Sequence, residues 1–479
     1  MRILNLVLQD FRCFEAFSIS FDSNFNTHII IAENMLGKSA LMSALRIAAN
    51  TYTSGLKSEW QLQIQDHRII GTNPIADISP EVSIQSTALI IDSKGKEVQT
   101  TWKKYKSKPY GERTKVEIVQ GIDPRKESKR INKLVSEGKA IQPLLGFIGT
   151  EYIHVESSNT VKWDVNGKSI DGYKGCFEDK SIKKYLFNWI ARIDNLILEV
   201  DRKPILAETY KDLPENAMYV FKKAVKSVLP DIREIEWSND IKQLVVKLSN
   251  GEIRPFNMLS DGYRYLILLA GELATRAFIL NKYLGKEVLE KIHGVVLIDE
   301  FGIHLHPTMQ NDTLLRLQET FKNVQFIVTT HSPLLLNGLK KEQVHILSYD
   351  NEGKRISTNP DEDIIGLGAD EILTKIFGLS STMDHQFLKW NEEYRYLFNK
   401  SKESKLTPNE NDSFKRLSRE LSILRLDPAL QLTNEDPITK IIKDNLQKYF
   451  KNKTISLTQD STENVEKEVT RIINELFKK

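Results

Sequence analysis

Two adjacent carboxylates, Asp299 and Glu300, follow four consecutive apolar residues, Val295 to Ile298. A short apolar run bounded by polar residues fits a strand buried on both faces. Acids at the C-terminal edge of such a strand emerge where α/β proteins bind ligands. The pair suits phosphoryl chemistry: one acid can order Mg²⁺ through water, and the next can polarise an attacking water. The same residues also fit a core strand that merely ends in solvated acids, so the other groups must decide.

A phosphate-binding arrangement stands at the other end of the sequence. Thr27–Ile31 reads as a buried strand; Ala32-Glu33-Asn34-Met35-Leu36-Gly37-Lys38-Ser39 follows, and then the helical run SALMSALRIAANTY. Strand, glycine-containing loop, Lys-Ser and helix together form a cradle for phosphates. Backbone N–H groups and the helix N-terminus face the anion, Lys38 supplies a point charge and the Ser39 hydroxyl reaches Mg²⁺. Two residues depart from the usual pattern: Ala32 at the first glycine position and Met35 where a second glycine is common. A β-carbon where φ is positive costs roughly 1–2 kcal/mol. Met35 is the more serious departure and is expected to slow hydrolysis without abolishing binding.

A second anion site is expected at Leu259-Ser260-Asp261-Gly262-Tyr263-Arg264, which a hairpin turning at Asn250-Gly251 delivers to a helix apolar nearly all round. Ser260 and Asp261 are both good N-caps, and helix N-termini attract anions; an ordinary well-capped helix is the plain alternative. After the acids come Gly302, His304, Leu305, His306 and Pro307, where His-x-His raises a metal site as one reading. The strand VQFIVTTHSPLLL then ends in Thr330-His331-Ser332-Pro333. A histidine there can hydrogen-bond a γ phosphate or hold the attacking water, or simply cap a turn.

These groups need a sheet to hold them. ILNLVLQDFRCFEAFSISF alternates as a half-exposed antiparallel pair, and runs within 80–120 add further strands. Gln142–Tyr152 reads as another buried strand, whose end is the expected place for a loop sensing the γ phosphate. Residues 175–225 and the region from about 366 onward show helical spacing. The stripe Val465, Val469, Ile472, Ile473, Leu476 and Phe477 marks a last helix over 462–479, facing core or partner. At 479 residues the chain exceeds one ordinary core. Apolar content of 40% and charged content of 27% describe a soluble globular protein. No apolar run approaches the ~18–20 residues of a membrane span, and Asn5, Gln9 and Asp10 interrupt any signal-peptide core. With two cysteines, Cys13 and Cys176, there is no disulfide framework, and the cytoplasm is the expected compartment. Lysines and arginines outnumber acids between Lys103 and Lys139, with Tyr105 and Tyr110 among them; this segment could track a nucleic-acid backbone or be a solvated surface.

In that order, a phosphate loop, LSDG, IDE and a histidine after a strand resemble the ATP-binding-cassette (ABC) superfamily, closest to its soluble branch with RecF, SMC and OLD proteins. FRCF (Phe11–Phe14) is similar to that branch's N-terminal Phe-Arg element. LSDGYR, IDEFGIHLHP and TTHSP are more similar still to the PtuA-type ATPases of Septu antiphage defence and the ATPases of some retrons. The resemblance covers residues 1–365 and extends weakly beyond.

The resemblance implies an α/β ABC-type ATPase head of mixed antiparallel and parallel sheets, with a short helical insertion and a mainly helical C-terminal region. The expected divisions are 1–165 (phosphate-loop lobe), 166–225 (insertion), 226–365 (signature, acids and switch histidine) and 366–479 (partner or oligomer contacts). It also implies ATP and Mg²⁺ as cofactors. Arg12, Asn34, Gly37, Lys38, Ser39 and Ala40 would surround ATP, with Ser39 and Asp299 serving the metal, Glu300 as general base and His331 as switch. Ser260, Asp261 and Gly262 would act in trans on the ATP of a second protomer, with His304 and His306 in a dimer-facing loop rather than a metal site. A homodimer or higher oligomer follows, with an HNH nuclease as partner and no membrane. Asp361-Glu362-Asp363 lacks the strand-borne acids of an OLD-type nuclease, so no nuclease is expected in cis. The leading expectation is an ATPase that scaffolds a nuclease in phage defence; the alternative is a RecF/SMC-like DNA-binding ATPase of repair or recombination.

Overall fold

A computed structural model describes residues 1–424 apart from 57–59, 74–76, 151, 153–162, 164–166, 180–182, 201 and 211. The expected helix over 462–479 lies outside the described residues. Two compact units divide the chain, Met1–Thr382 and Met383–Lys479. Ile364 and Ile372 are both buried in the core of the first unit.

The first unit opens with the hairpin β1 (Arg2–Phe11) and β2 (Phe14–Ser20), then β3 (Thr27–Ala32) and α1 (Lys38–Thr53). β4 (Val82–Ile91), β5 (Glu97–Lys106) and β6 (Lys115–Gln120) join the hairpin in an antiparallel sheet ordered β2-β1-β4-β5-β6. The alternation in the sequence is realised here: Leu6 and Leu8 are fully buried while Val7 between them is exposed, as the two-residue period of a strand requires.

Helix α2 (Pro124–Ser136) starts cleanly because Asp123 accepts from the Arg125 N–H at 2.9 Å and proline fills its first turn. β7 (Leu144–Ile148), α3 (Lys183–Val200), α4 (Pro204–Tyr210) and α5 (Leu213–Val228) follow, then the small sheet of β8 (Ile232–Ser238), β9 (Gln243–Leu248) and β10 (Ile253–Pro255). α6 (Asp261–Leu280) is buried continuously from Tyr265 to its end. Each fully buried Leu or Ile contributes about 1.5–3 kcal/mol, so α6 is a central pillar. The charged pair within it, Arg276 Nε to Glu272 Oε1 at 2.6 Å, is compensated as buried ions must be: Arg276 also donates to the Gly172 and Lys174 carbonyls, and Tyr152 donates to Glu272.

α7 (Val288–Lys291), β11 (His293–Ile298), α8 (Pro307–Thr320), β12 (Asn323–Thr329), β13 (Val344–Tyr349), β14 (Arg355–Thr358) and α9 (Ala369–Glu371), with a π turn over Ile372–Ile376, complete the unit. The central sheet runs β14-β13-β3-β12-β11-β7. It is parallel from β13 through β7, with β14 antiparallel at its edge. All six residues of β3 and all five of β7 are buried, as strands covered on both faces must be. This is the mixture of antiparallel and parallel sheets with helices that the resemblance implies. The described part of the second unit is α10 (His385–Glu403) and α11 (Pro408–Leu424), where Tyr394, Phe398 and Phe414 stack.

Candidate functional site

Because β3, β12 and β11 are adjacent and parallel, their C-terminal ends bring the loop before Lys38, the Thr330-His331 turn and the Asp299-Glu300 pair to one edge of the sheet, where α/β proteins bind ligands. Gly37 sits at the N-cap of α1 with φ 106° and no side-chain cap, so the first amides of the helix are free for an anion. Only glycine fits there: a β-carbon would lie 2.6 Å from Cys13 Sγ and 2.8 Å from the Phe14 ring. Met35 adopts φ 68° with its side chain 93% exposed, the strained position that the sequence predicts. Ala32 is different. It ends β3 in extended conformation, so it carries no left-handed strain.

Lys38 is 8% exposed and turns its ammonium onto the loop, donating to the Ala32 carbonyl at 2.5 Å and to the Glu33 carbonyl at 3.3 Å. Burial lowers its pKa, against the upward pull of Glu300 and Asp299. Ser39 and Asn34 are exposed and Ala40 is half-buried.

Asp299 is 9% exposed, and burial raises its pKa; Glu300 pushes the same way, while Thr329, Lys38 and Arg46 oppose. The Thr329 hydroxyl donates to Asp299 Oδ1 at 2.5 Å and accepts the Glu300 N–H at 2.8 Å. Glu300 itself has φ 52°, left-handed backbone that costs a non-glycine residue on the order of 1–2 kcal/mol. The end of β12 holds this turn from both sides: Phe301 N–H donates to the Thr329 carbonyl at 2.8 Å, and the Thr330 hydroxyl donates to the Phe301 carbonyl at 2.7 Å. Sequence reasoning missed Thr329, since a Thr-Thr doublet reads as β-forming residues and no more. It also missed Arg46, whose guanidinium lies 4.0 Å from the centre of the Phe147 ring and 5.0 Å from that of Trp60.

His331 is exposed, and burial together with Lys38 lowers its pKa against Glu300 and Asp299. Lys38, Asp299, Glu300 and His331 thus lie within one another's fields. The turn after His331 is tied to α8, where Ser332 Oγ meets Gln310 Oε1; Gln310 Nε2 donates in turn to the Gly302 carbonyl at 2.8 Å and the Leu305 carbonyl at 3.0 Å. His306 is the N-cap of α8, its Nδ1 2.8 Å from Thr308 Oγ1. Among the described residues no cluster of three or more His, Cys, Asp or Glu is placed to hold a metal. Ser260 and Asp261 are exposed at the start of α6, and Gly262 is buried. A β-carbon on Gly262 would lie 3.0 Å from the His304 carbonyl, so the signature packs on the loop that follows the acids. His304 also faces the Tyr265 ring at 5.8 Å.

Arg12 joins the edge of the site through α1. Its Nη1 donates to Ser43 Oγ at 3.0 Å, and its Nε and Nη2 hold Asp66 Oδ1 at 3.0 and 2.9 Å. The segment Lys103–Lys139 spreads over β5, β6 and α2. Lys104 is fully buried, Lys103 pairs with Glu81, Lys115 with Glu112, Arg125 with Asp123, Arg130 with Glu127 and Lys139 with Glu137.

A family model described as AAA ATPase domain matches residues 1–336. The probable ATPase of retron Vc95 from Vibrio cholerae is 25% identical over 453 residues, 84% of this chain and 84% of that relative. The probable ATPase of retron Ec83 from Escherichia coli is 24% identical over 413 residues, 74% and 73% of the two chains. The Septu protein PtuA of Bacillus mycoides is 30% identical over 247 residues, 51% of this chain and only 33% of that longer relative. Among solved structures, the SMC head domain from Thermotoga maritima covers 75% of this chain and 99% of its own at 15% identity, with a TM-score of 0.40.

Proposed function

Since the chain belongs to the AAA ATPase domain family and has Septu and retron ATPases among its relatives, we propose that it is an ATP-binding, slowly hydrolysing subunit of an antiphage defence complex that holds and regulates a separate HNH-type nuclease. The observation that carries the ATPase reading is the convergence of Lys38, Asp299, Glu300 and His331 at the ends of three adjacent strands. The defence role rests on the relatives.

In this reading the free amides of α1 and the Lys38 ammonium bind the β and γ phosphates, Lys38 leaving the Ala32 carbonyl to do so. The exposed Ser39 hydroxyl and the Asp299 carboxylate are oxygen donors of the kind that Mg²⁺ takes, and the bound ion would offset phosphate charge. Glu300 accepts the proton of the attacking water. His331, whose pKa burial and Lys38 lower, donates to a γ-phosphate oxygen. Asn34, Ala40 and Arg12 line the same edge. The exposed Ser260 and Asp261, with the buried Gly262 beside them against the loop that follows the acids, serve the ATP of a second protomer. ATP is then a component of the interface in a head-to-tail pair, and residues 366–479 serve partner or oligomer contacts.

The deciding experiment is the mass in solution of the purified protein with and without ATP·Mg²⁺, alone and co-expressed with its genomic neighbour. A stable complex larger than a dimer that retains a nuclease neighbour is the expected result. A monomer that pairs only with ATP and ignores the neighbour would overturn the scaffold and favour a repair ATPase.

A further inference from the structure

The acid pair is not self-supporting. Glu300 stands in left-handed backbone, which an L-residue with a long side chain leaves when nothing holds it. Asp299 is buried with one carboxylate oxygen turned to β12. One atom serves both residues. Thr329 Oγ1 donates its proton to Asp299 Oδ1 and takes the Glu300 N–H on a lone pair, the two directions that a hydroxyl can satisfy at once.

We propose that Thr329 is a positioning residue for hydrolysis, whose hydroxyl orients Asp299 and locks Glu300 in the conformation that aims its carboxylate at the attacking water. The inference deepens the ATPase reading and rests on it for its consequence, though not for its geometry. Thr329 acts through Asp299 and Glu300. It acts because β12 lies between the phosphate-loop strand β3 and the acid strand β11, so the last side chain of β12 reaches across to the neighbouring strand's end. Thr330 cannot substitute, since its hydroxyl is committed to the Phe301 carbonyl on the other side of the turn. The neighbouring Phe301 N–H is held by the Thr329 backbone and is therefore indifferent to the side chain at 329. That separates the role of the hydroxyl from that of the strand.

The test uses Thr329→Val, which keeps shape and β-branching and removes only the hydroxyl, alongside Thr329→Ser, which keeps the hydroxyl. Thr329→Ala, which adds no atoms, replaces the valine variant if that fails to fold. A displacement of about 1 Å at a reacting group costs about 100-fold in rate. The valine variant should therefore lose about that factor in kcat with KM and the Kd for ATP in EDTA unchanged, and serine should restore most of it. A crystal structure of the valine variant without nucleotide should show Glu300 outside the left-handed region. Wild-type kcat in the valine variant, or Glu300 still at positive φ there, overturns the proposal. A wild-type protein that binds no ATP, combined with a relaxed Glu300 in the variant, would instead retain the positioning role and reject the ATPase reading.

Discussion

Ser332 Oγ lies 2.6 Å from Gln310 Oε1, and this contact ties the turn bearing His331 to helix α8. The other end of the same amide holds the Gly302 and Leu305 carbonyls. Gln310 therefore touches both the loop after the acids and the loop after the histidine. Gln310→Leu should strand two carbonyls and a hydroxyl. Stability should fall by about 1–3 kcal/mol and kcat by about an order of magnitude as His331 loses its fixed position, with ATP affinity retained. Thermal unfolding and steady-state hydrolysis measure the two effects separately.

Glu300→Gln keeps the shape of the side chain and removes its basicity. Hydrolysis should drop by about 10²–10⁴, and the ATP-bound pair should accumulate where the wild type turns over. Light scattering after gel filtration in ATP·Mg²⁺ reads this directly. Hydrolysis at the wild-type rate would mean that another group takes the proton.

Action in trans makes a mixing prediction. Ser260→Arg and Lys38→Ala should each be inactive alone, the first still binding ATP. Each mixed pair places the intact Lys38 of one chain opposite the intact Ser260 of the other, so combining the two proteins should recover hydrolysis. No recovery, under conditions where the two proteins co-elute, would place the signature in cis.

Met35 holds left-handed backbone with its side chain in solvent, so a glycine there loses no packing. Met35→Gly should remove about 1 kcal/mol of strain from the phosphate loop and raise the turnover number. A wild type that turns over at least as fast as the variant would defeat this idea.

A pH effect comes from the opposite part of the sheet. His28 on β3 and His345 on β13 are buried, with His28 Nδ1 3.3 Å from His345 Nε2. Burial lowers their pKa values to about 4 and about 3; His28 lowers His345 further, and the Phe25 and Asp22 carbonyls partly oppose the shift at His28. Between pH 6.5 and those values the unfolded chain binds protons that the folded one does not, so stability rises with pH through this window. Acidifying from pH 6.5 to 5 should cost on the order of 2 kcal/mol per ring. Urea unfolding at pH 7 and 5 checks it, and His345→Phe should flatten the dependence.

Periodicity and residue type made much of this molecule legible before its coordinates. Val295–Ile298 is a buried strand, Lys38 starts a helix, and the half-exposed opening hairpin pairs as its alternation requires. Met35 shows why one local rule transferred and another did not. Its positive φ follows from where the loop must turn, whereas Ala32 escapes strain because the strand continues one residue further. Thr329 and Arg46 were not legible because each acts on residues far away in sequence, and Gln310 because it joins its own loop to Ser332 on another. Nothing in a threonine's neighbours says which strand will lie beside it. The basic segment Lys103–Lys139 shows what charge counted along a chain leaves out, namely the alternation that buries Lys104 and the acid that folding brings to Lys103 from outside the segment.

The placement of β3 has a consequence for how the chain is made. β3 is complete by residue 32, yet both strands that flank it, β12 and β13, begin at residues 323 and 344. During synthesis the phosphate loop therefore hangs from an apolar strand with no neighbours until most of the protein has left the ribosome. Pairings of such sequence separation form slowly, and an unpaired apolar strand is an aggregation hazard while it waits. Any fragment ending before β12 should bind no nucleotide and should need a chaperone to stay in solution, however complete its phosphate loop.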